Sequence, residues 1–270
     1  MGGKTDFSDL YGPWALVAGG SEGLGLAFAE QAARRGLGLL LVARQRERLE
    51  RAAADLKNRF DVEVDLLDCD LASAAGCRRT IDWVAGRPVG LLVCNAAISP
   101  IGEFLSLESG QHLDCIELNC RSTTRLVHHF TNAMLPRGQG GVVIVSSLAS
   151  FQGTAMVASY AASKAYLRVL AEGLWAEVGP RGVDVLASCP GIVDTPAYRA
   201  TDPNPPSRFV PAPLDPNLVA NETLDYLGHG PVIVPGRANR LANQLTARLV
   251  SRRRAIELAS SGTRKLYSDK

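Results

Sequence analysis

Short apolar runs alternate with longer amphipathic stretches along most of this chain, and that alternation restricts the fold more than any other feature of the sequence. Trp14 to Ala18, Leu37 to Val42, Val62 to Leu67, Gly90 to Cys94, Val142 to Val145 and Val183 to Ala187 read as strands. Between them, Gly23 to Arg35, Glu47 to Asn58, Ala72 to Val84, Leu107 to Leu135 and Ala158 to Val178 read as helices. The strand segments are mostly continuous apolar runs, which suits strands covered on both faces in a parallel sheet. Repeated strand–helix units predict an α/β fold, a Rossmann-type doubly wound parallel sheet of about seven strands with helices on both faces.

Composition agrees and excludes other classes. The 270 residues are 46% hydrophobic and 21% charged, with a formal net charge of +2. That is too apolar for a disordered chain and too charged for a membrane bundle. A chain this long buries roughly 75% of its unfolded surface and needs no disulfide or metal staple. The near-neutral charge does not point to nucleic acid. Cys69, Cys77, Cys94, Cys115, Cys120 and Cys189 are scattered without a CxxC pair. With no apolar leader between Met1 and Leu10, they suggest a reducing, cytoplasmic setting. Apolar runs such as Leu39 to Ala43 fall far short of the ~20 residues of a membrane span, so no membrane partner is expected.

The pattern changes after Ala187. Seven prolines fall between Pro196 and Pro216, with Gly191 just upstream. Proline stops helix and strand alike, so a loop or broken short helices are expected, long enough to suggest a functional lid at about 195–216. A helix near Leu218 to Leu227, a strand at Val232 to Val234 and one basic helix from about Asn239 to Ala259 follow. Neither an internal repeat nor a second apolar core is apparent. The expected organisation is therefore one domain over residues 1–270, with the lid and a C-terminal helical extension at about 238–260.

The segment from Ala18 to Gly25 lies between the first strand and the first helix, and Gly19, Gly23 and Gly25 give GxxxGxG. Glycine there permits positive φ, lets backbone N–H groups approach a pyrophosphate, and lets helix and strand pack closely. The following helix N-terminus favours phosphate. Ser21, Glu22 and Leu24 complete the turn as candidate cofactor contacts. An acid ending the second strand would bind a ribose 2′-hydroxyl, but Gly36 to Arg46 contains neither Asp nor Glu. Arg44 stands there instead, and a guanidinium matches a 2′-phosphate, so NADP(H) is expected over NAD(H). Glu22 is read as solvent-facing or helix-capping.

Tyr160 and Lys164 lie four apart in a helical segment, which puts both side chains on one face. A phenol titrates near 10, and a neighbouring ammonium favours its anion. Ser147, expected at the end of the fifth strand, could hold a substrate oxygen.

In these ordered motifs the chain resembles the short-chain dehydrogenase/reductase family, in its single-domain branch, over about Trp14 to Pro196. The family glycine motif matches Gly19, Gly23 and Gly25. The adenine-contacting acid matches Asp70, followed by Leu71. The Asn-Asn-Ala-Gly motif appears as Cys94-Asn95-Ala96-Ala97, with departures at Cys94 and Ala97. The catalytic tetrad matches Asn119, Ser147, Tyr160 and Lys164. The Pro-Gly motif is Pro190-Gly191-Ile192-Val193-Asp194-Thr195, where Ile192 and Thr195 would hold the nicotinamide amide. The resemblance implies Tyr160 as general acid for ketone reduction or base for alcohol oxidation. It implies Lys164 as tuner of the phenol and ribose contact, Ser147 as holder of the carbonyl oxygen, and Asn119 as holder of a relay water. It also implies a homodimer or homotetramer, paired through the segments at 107–135 and 158–178.

The expected activity is NADPH-dependent interconversion of a ketone and a secondary alcohol. About 35 residues follow Val234, which fits a bulky hydrophobic carbonyl substrate better than a ketoacyl reductase. An NADP(H)-binding sensor without turnover, and a non-redox cyclase or dehydratase on the same fold, remain alternatives. His112, His128, His129 and His229 lack metal-ligand spacing, and no metal is expected. Asp184 and Asp194 read as surface or capping acids, and the arginines from Arg248 to Arg254 as a solvated helix face, with contact to anionic lipid or a partner as the alternative.

Overall fold

The computed structural model describes residues 6–205 and 211–268. Its centre is one sheet of seven parallel strands: β1 (Trp14–Ala18), β2 (Gly38–Ala43), β3 (Val64–Asp68), β4 (Val89–Cys94), β5 (Gly140–Val145), β6 (Val183–Ser188) and β7 (Val232–Ile233). The spatial order is β3-β2-β1-β4-β5-β6-β7. The chain winds outward from β1 to β3, then returns to place β4 on the other side of β1. That reversal opens a crevice at the carboxyl ends of β1 and β4, where doubly wound sheets bind ligands.

A short α1 (Phe7–Tyr11) precedes β1, and α2 (Gly23–Arg34), α3 (Arg46–Arg59) and α4 (Ala74–Val84) connect the first four strands. Farther along come α5 (Ser109–Cys115), a π-helical stretch (Ile116–Ser122), α6 (Thr123–Met134) and α7 (Ala158–Val178). The chain closes with α8 (Pro196–Arg199), α9 (Pro216–Tyr226), α10 (Arg237–Leu249) and α11 (Arg252–Leu266). Two cores result. Ala15 and Val17 of β1 pack with α2, α3 and α9 residues such as Phe28, Leu49 and Val219. Leu16 and Ala18 point the other way, toward α4, α6 and α7 residues such as Val84, Phe130 and Leu167. Successive side chains of the central strands enter opposite cores, so β1, β2, β4 and β5 carry no polar residue, while edge strand β3 exposes Asp65.

The single long helix expected over 107–135 is interrupted by the π-helical turn around Asn119, and the structure starts it at Ser109. The single basic helix expected at 239–259 is two helices. Val250 turns extended, and the Ser251 hydroxyl accepts from the N–H of Arg254 to start α11, which then runs to Leu266. A serine N-cap signals such a restart. In the Pro-rich stretch, α8 begins at Pro196 and Val193 bridges Leu214, while 206–210 of the expected lid lie outside the described residues. Among the described residues, no helix is long and apolar enough to cross a membrane. All six cysteines are free and buried.

Asp184 is neither a surface nor a capping acid: it accepts a 2.7 Å hydrogen bond from the buried Tyr11 hydroxyl. Burial and that carboxylate push the Tyr11 phenol far above its usual range. This bond ties α1 to β6 across the lower edge of the sheet. Tyr11→Phe removes the donor and leaves the carboxylate short of a partner. A loss of about 1–3 kcal/mol is expected in urea unfolding, at unchanged m-value. Wild-type stability in that variant would show that the bond contributes nothing net.

Candidate functional site

The crevice is built first from backbone that has no room for side chains. Gly19 has φ +85°, and a Cβ there would lie 2.9 Å from the backbone of Ala96. A Cβ on Gly25 would lie 1.8 Å from the Gly19 carbonyl oxygen, so any other residue separates α2 from β1. Gly23, at φ +56°, faces Thr195, whose Cβ stands 3.1 Å from the same imaginary atom. The Asn95 amide donates to the Gly19 carbonyl at 3.0 Å, and the Asn95 and Ala96 N–H groups both donate to Ala18. The ends of β1 and β4 are thereby locked to the glycine turn. No side chain caps the first turn of α2, so its N–H groups and helix dipole are directed at the crevice. Ser21 and Leu24 flank this opening. The cradle fits a dinucleotide pyrophosphate on geometry alone.

The charges around it sort themselves. Glu22 neither caps α2 nor stands free in solvent: it forms a 2.6 Å ion pair with Arg48. Arg46 is engaged by Glu50 at 2.8 Å and Asp68 at 3.3 Å. Arg44 is exposed at the end of β2 and has no acidic partner among the described residues. Of the three arginines entering α3, it alone is uncommitted. Asp70 is exposed after β3, with one carboxylate oxygen accepting from the Ala72 N–H at 3.1 Å, while Leu71 is buried beside it.

The chemical groups come from β5, the π-helical stretch and α7. Ser147 lies two residues beyond β5, not at its end. It starts a single 3-10 turn, its hydroxyl accepting from the Ala149 N–H at 3.1 Å. Tyr160 and Lys164 sit one turn apart on α7, with the ammonium 5.6 Å from the phenol ring centre. Lys164 is buried, and its ammonium donates to the Val145 carbonyl at 2.8 Å. Asn119 is fully buried. Its amide oxygen accepts from the Ile98 N–H, and its amide nitrogen donates to the Ile98 carbonyl and the Ser163 hydroxyl, each at 2.9 Å. Ser163 in turn donates to the Tyr160 carbonyl at 2.8 Å.

Burial governs the proton affinities. It pushes the Tyr160 phenol up to about 12, while the Ser147 hydroxyl pulls the other way. The same burial brings Lys164 down to about 8. The phenol thus lies above its ordinary value in this structure, with desolvation as the largest cause.

On the far side, the Pro190 carbonyl accepts from the Leu148 N–H and the Ile192 carbonyl from the Leu214 N–H, which fixes the Pro190-Gly191-Ile192 segment above β6. The Thr195 hydroxyl caps α8 by accepting from Tyr198. Gly191 lies under the buried Asn239 of α10, whose amide nitrogen has no partner among the described residues. Helix α11 crosses above: Ser260 accepts from the Ala155 N–H at 3.0 Å, Arg252 donates to the Phe151 carbonyl, and the Asn204 N–H donates to the Leu266 carbonyl. Phe151 and Ala155 lie between Ser147 and Tyr160 in the chain, so α11 is held against the segment that joins Ser147 to α7.

Every residue expected at the site falls at the carboxyl ends of the central strands or on the helices entering from them. Ala97 follows Ala96 in the loop after β4. Arg48, Asn239 and the α11 contacts were not anticipated. Arg48 looks in sequence like any helix-surface cation. The other two depend on a chain reversal that no local motif records. His112 is a fixed structural group: its ring meets the Phe104 carbonyl at 3.0 Å and the Ser159 hydroxyl at 2.8 Å. Among the described residues, no cluster of three or more His, Cys, Asp or Glu is arranged for a metal.

Comparison with known proteins gives a consistent picture. A family model described as short chain dehydrogenase matches residues 13–205. The chain is 28% identical to the 7beta-hydroxysteroid dehydrogenase of Clostridium sardiniense over 87% of its own length and 90% of the relative. It is 32% identical to a human protein named inactive hydroxysteroid dehydrogenase-like protein 1, over 78% of this chain and 63% of that longer one. A short-chain dehydrogenase from Sphingobium yanoikuyae, solved in complex with NADPH, superposes with a TM-score of 0.77 at 28% identity, covering 87% of this chain and 93% of that one.

The phenol's elevated affinity is directly observable. In an ultraviolet pH titration of the protein alone, the difference between wild type and Tyr160→Phe should show no phenolate below about pH 10. A phenolate signal from Tyr160 near neutrality would show that Lys164, not burial, sets its proton affinity.

Proposed function

The chain belongs to the short-chain dehydrogenase/reductase family of nicotinamide-dependent oxidoreductases, and from that premise we propose that it is an NADPH-dependent reductase of bulky hydrophobic ketones. The observation that carries the cofactor choice is the uncommitted Arg44 beside a Glu22 already neutralised by Arg48. A 2′-phosphate there meets a free guanidinium and no bare carboxylate. The glycine cradle, Asp70, Leu71, Asn95, Ala96 and Ala97 would hold the rest of the dinucleotide. Pro190, Gly191, Ile192 and Thr195 would border the nicotinamide.

When bound, the nicotinamide supplies the hydride to the substrate carbon. The protein's own residues handle the oxygen and its proton. The Ser147 hydroxyl holds the carbonyl oxygen. Tyr160, protonated at neutral pH because burial keeps its affinity high, gives its proton to the developing alkoxide. Lys164, charged below about 8, stabilises the phenolate left behind and reaches the ribose. The side chain of Asn119 is already engaged by Ile98 and Ser163, so a relay water would have to be held by its main-chain carbonyl. A steroid-sized ketone is supported by the Clostridium relative, whose name gives it a hydroxysteroid activity.

The human relative's name calls it inactive, which keeps a binding protein without turnover as the second reading. The two separate on NADPH consumption with a ketone panel. We also propose that copies pair through the outer face of α6 and α7. Ile116, Tyr166, Val169 and Trp175 are exposed there, and a cleft of about 610 Å³ is lined by Ile116, Cys120 and Tyr166. Light scattering tests this pairing.

Tyr160→Phe should lower ketone reduction at least a hundredfold while NADPH binding persists. Near-wild-type kcat would remove the tyrosine from the chemistry. Arg44→Asp should raise the NADH-to-NADPH ratio of kcat/KM by about tenfold or more, since charge-assisted bonds to a phosphate are lost and a ribose acceptor is gained. An unchanged ratio would place the 2′-phosphate elsewhere. For wild type, kcat/KM of reduction should be flat from pH 6 to 7.5 and fall above about pH 8 as Lys164 loses its proton, whereas alcohol oxidation should rise with pH over the neutral range.

A further inference from the structure

Helices α10 and α11 carry an outward face that the site chemistry does not use. On α10, Leu241, Leu245 and Leu249 follow one another at four-residue steps and are 58%, 48% and 77% exposed. At 100° per residue Leu241 and Leu245 lie away from Asn239, the buried residue that seats the helix on Gly191, and Leu249 lies to its side. Arg248 shares that outward side, one turn from Leu245 and adjacent to Leu249. On α11, Leu258 is 63% exposed, with Arg254 one turn before it and Lys265 two turns after it, on the side opposite the buried Ser260. Three exposed leucines in register on one helix and a fourth on the next form an apolar ridge, not scattered surface residues.

Charge selects what covers this ridge. Residues 237–268 hold eight cationic side chains, Arg237, Arg240, Arg248, Arg252, Arg253, Arg254, Arg264 and Lys265, against one carboxylate, Glu257. Arg240 is paired with Glu222, and Arg253 with Glu257. No acidic partner meets Arg237, Arg248 or Arg254 among the described residues. A second copy docking this face against itself about a twofold axis would set the same arginines opposite one another. An apolar ridge flanked by unpaired cations is instead the pattern of a helix lying in the plane of an anionic bilayer, leucines in the acyl boundary and arginines among the headgroups. That no helix among the described residues is long and apolar enough to cross a membrane has no bearing on a helix lying on one.

We propose that the α10–α11 face docks this protein on anionic lipid surfaces. Helix α11 is held from its inner side by Ser260 to Ala155, Arg252 to Phe151 and the Asn204 N–H to Leu266.

Co-sedimentation of the full chain with vesicles tests this without any turnover, and its result is independent of whether the reductase reading holds. The protein should pellet with phosphatidylcholine vesicles containing about 30% phosphatidylserine, not with phosphatidylcholine alone, and less as salt rises. Arg237→Ser/Arg248→Ser/Arg254→Ser should weaken partitioning on the order of a hundredfold. Leu241→Ser/Leu245→Ser/Leu249→Ser should weaken it too, with unchanged circular dichroism and NADPH affinity in both variants. Protein left in the supernatant with anionic vesicles overturns the proposal, as does equal pelleting with neutral ones. A drop in oligomer mass confined to the leucine variant also overturns it, because a second copy would then cover the ridge.

Discussion

Everything at the site depends on how closely α2 approaches the ends of β1 and β4. The Gly25 Cα sits where a methyl group would lie 1.8 Å from the Gly19 carbonyl oxygen, and the Asn95 amide closes the same carbonyl from the other side. That contact sets the angle at which the α2 N-terminus points into the crevice. It also joins the two halves of the sheet at their point of reversal, so the nucleotide half and the catalytic half share one rigid junction. A side chain at any of these glycines would separate the helix from the strands, and the dipole would be aimed elsewhere.

From that junction outward, the structure positions charge by exhausting alternatives. The Lys164 ammonium donates to the Val145 carbonyl and lies in a cavity that makes its charge costly. Asn119 is held on both sides of its amide, and its place within a π-helical turn widens the helix where it faces Ser163. Around the cofactor end, Arg48 takes Glu22, while Glu50 and Asp68 take Arg46. Each pair is exposed enough that its own contribution to stability is small. Their consequence is electrostatic: one guanidinium, Arg44, is left to meet a ligand.

The sequence was most legible where a local rule has a single structural solution. Continuous apolar runs could only be strands buried on both faces, and β1 and α7 appear with the expected limits. Glycines followed by a helix could only be a close turn. Sequence patterns failed where the deciding contact lies far away in the chain. Asp184 looked like a surface acid because Tyr11, 173 residues earlier, supplies its partner. Glu22 looked solvated because nothing local announces Arg48. The restart at Ser251 was visible as a serine before an arginine run, yet the apolar periodicity on either side masked it. The Tyr160 proton affinity was not legible for the same reason: spacing shows the ammonium, while only the assembled fold shows the burial.

The contacts of α11 also explain why the C-terminal helices carry so uneven a composition. Their inner side must close over Phe151 and Ala155 with short polar contacts, and it does so through Ser260, the Arg252 head and the last carbonyls of α11. Packing on the sheet accounts for few of their other residues, since Asn239, Ala255 and Ser260 are the ones fully buried. Solubility alone would place mixed charges and few leucines on the remaining surface. The observed surface has leucines in register and cations of one sign. Two helices that need so little of their surface to hold the fold are free to present the rest to a partner.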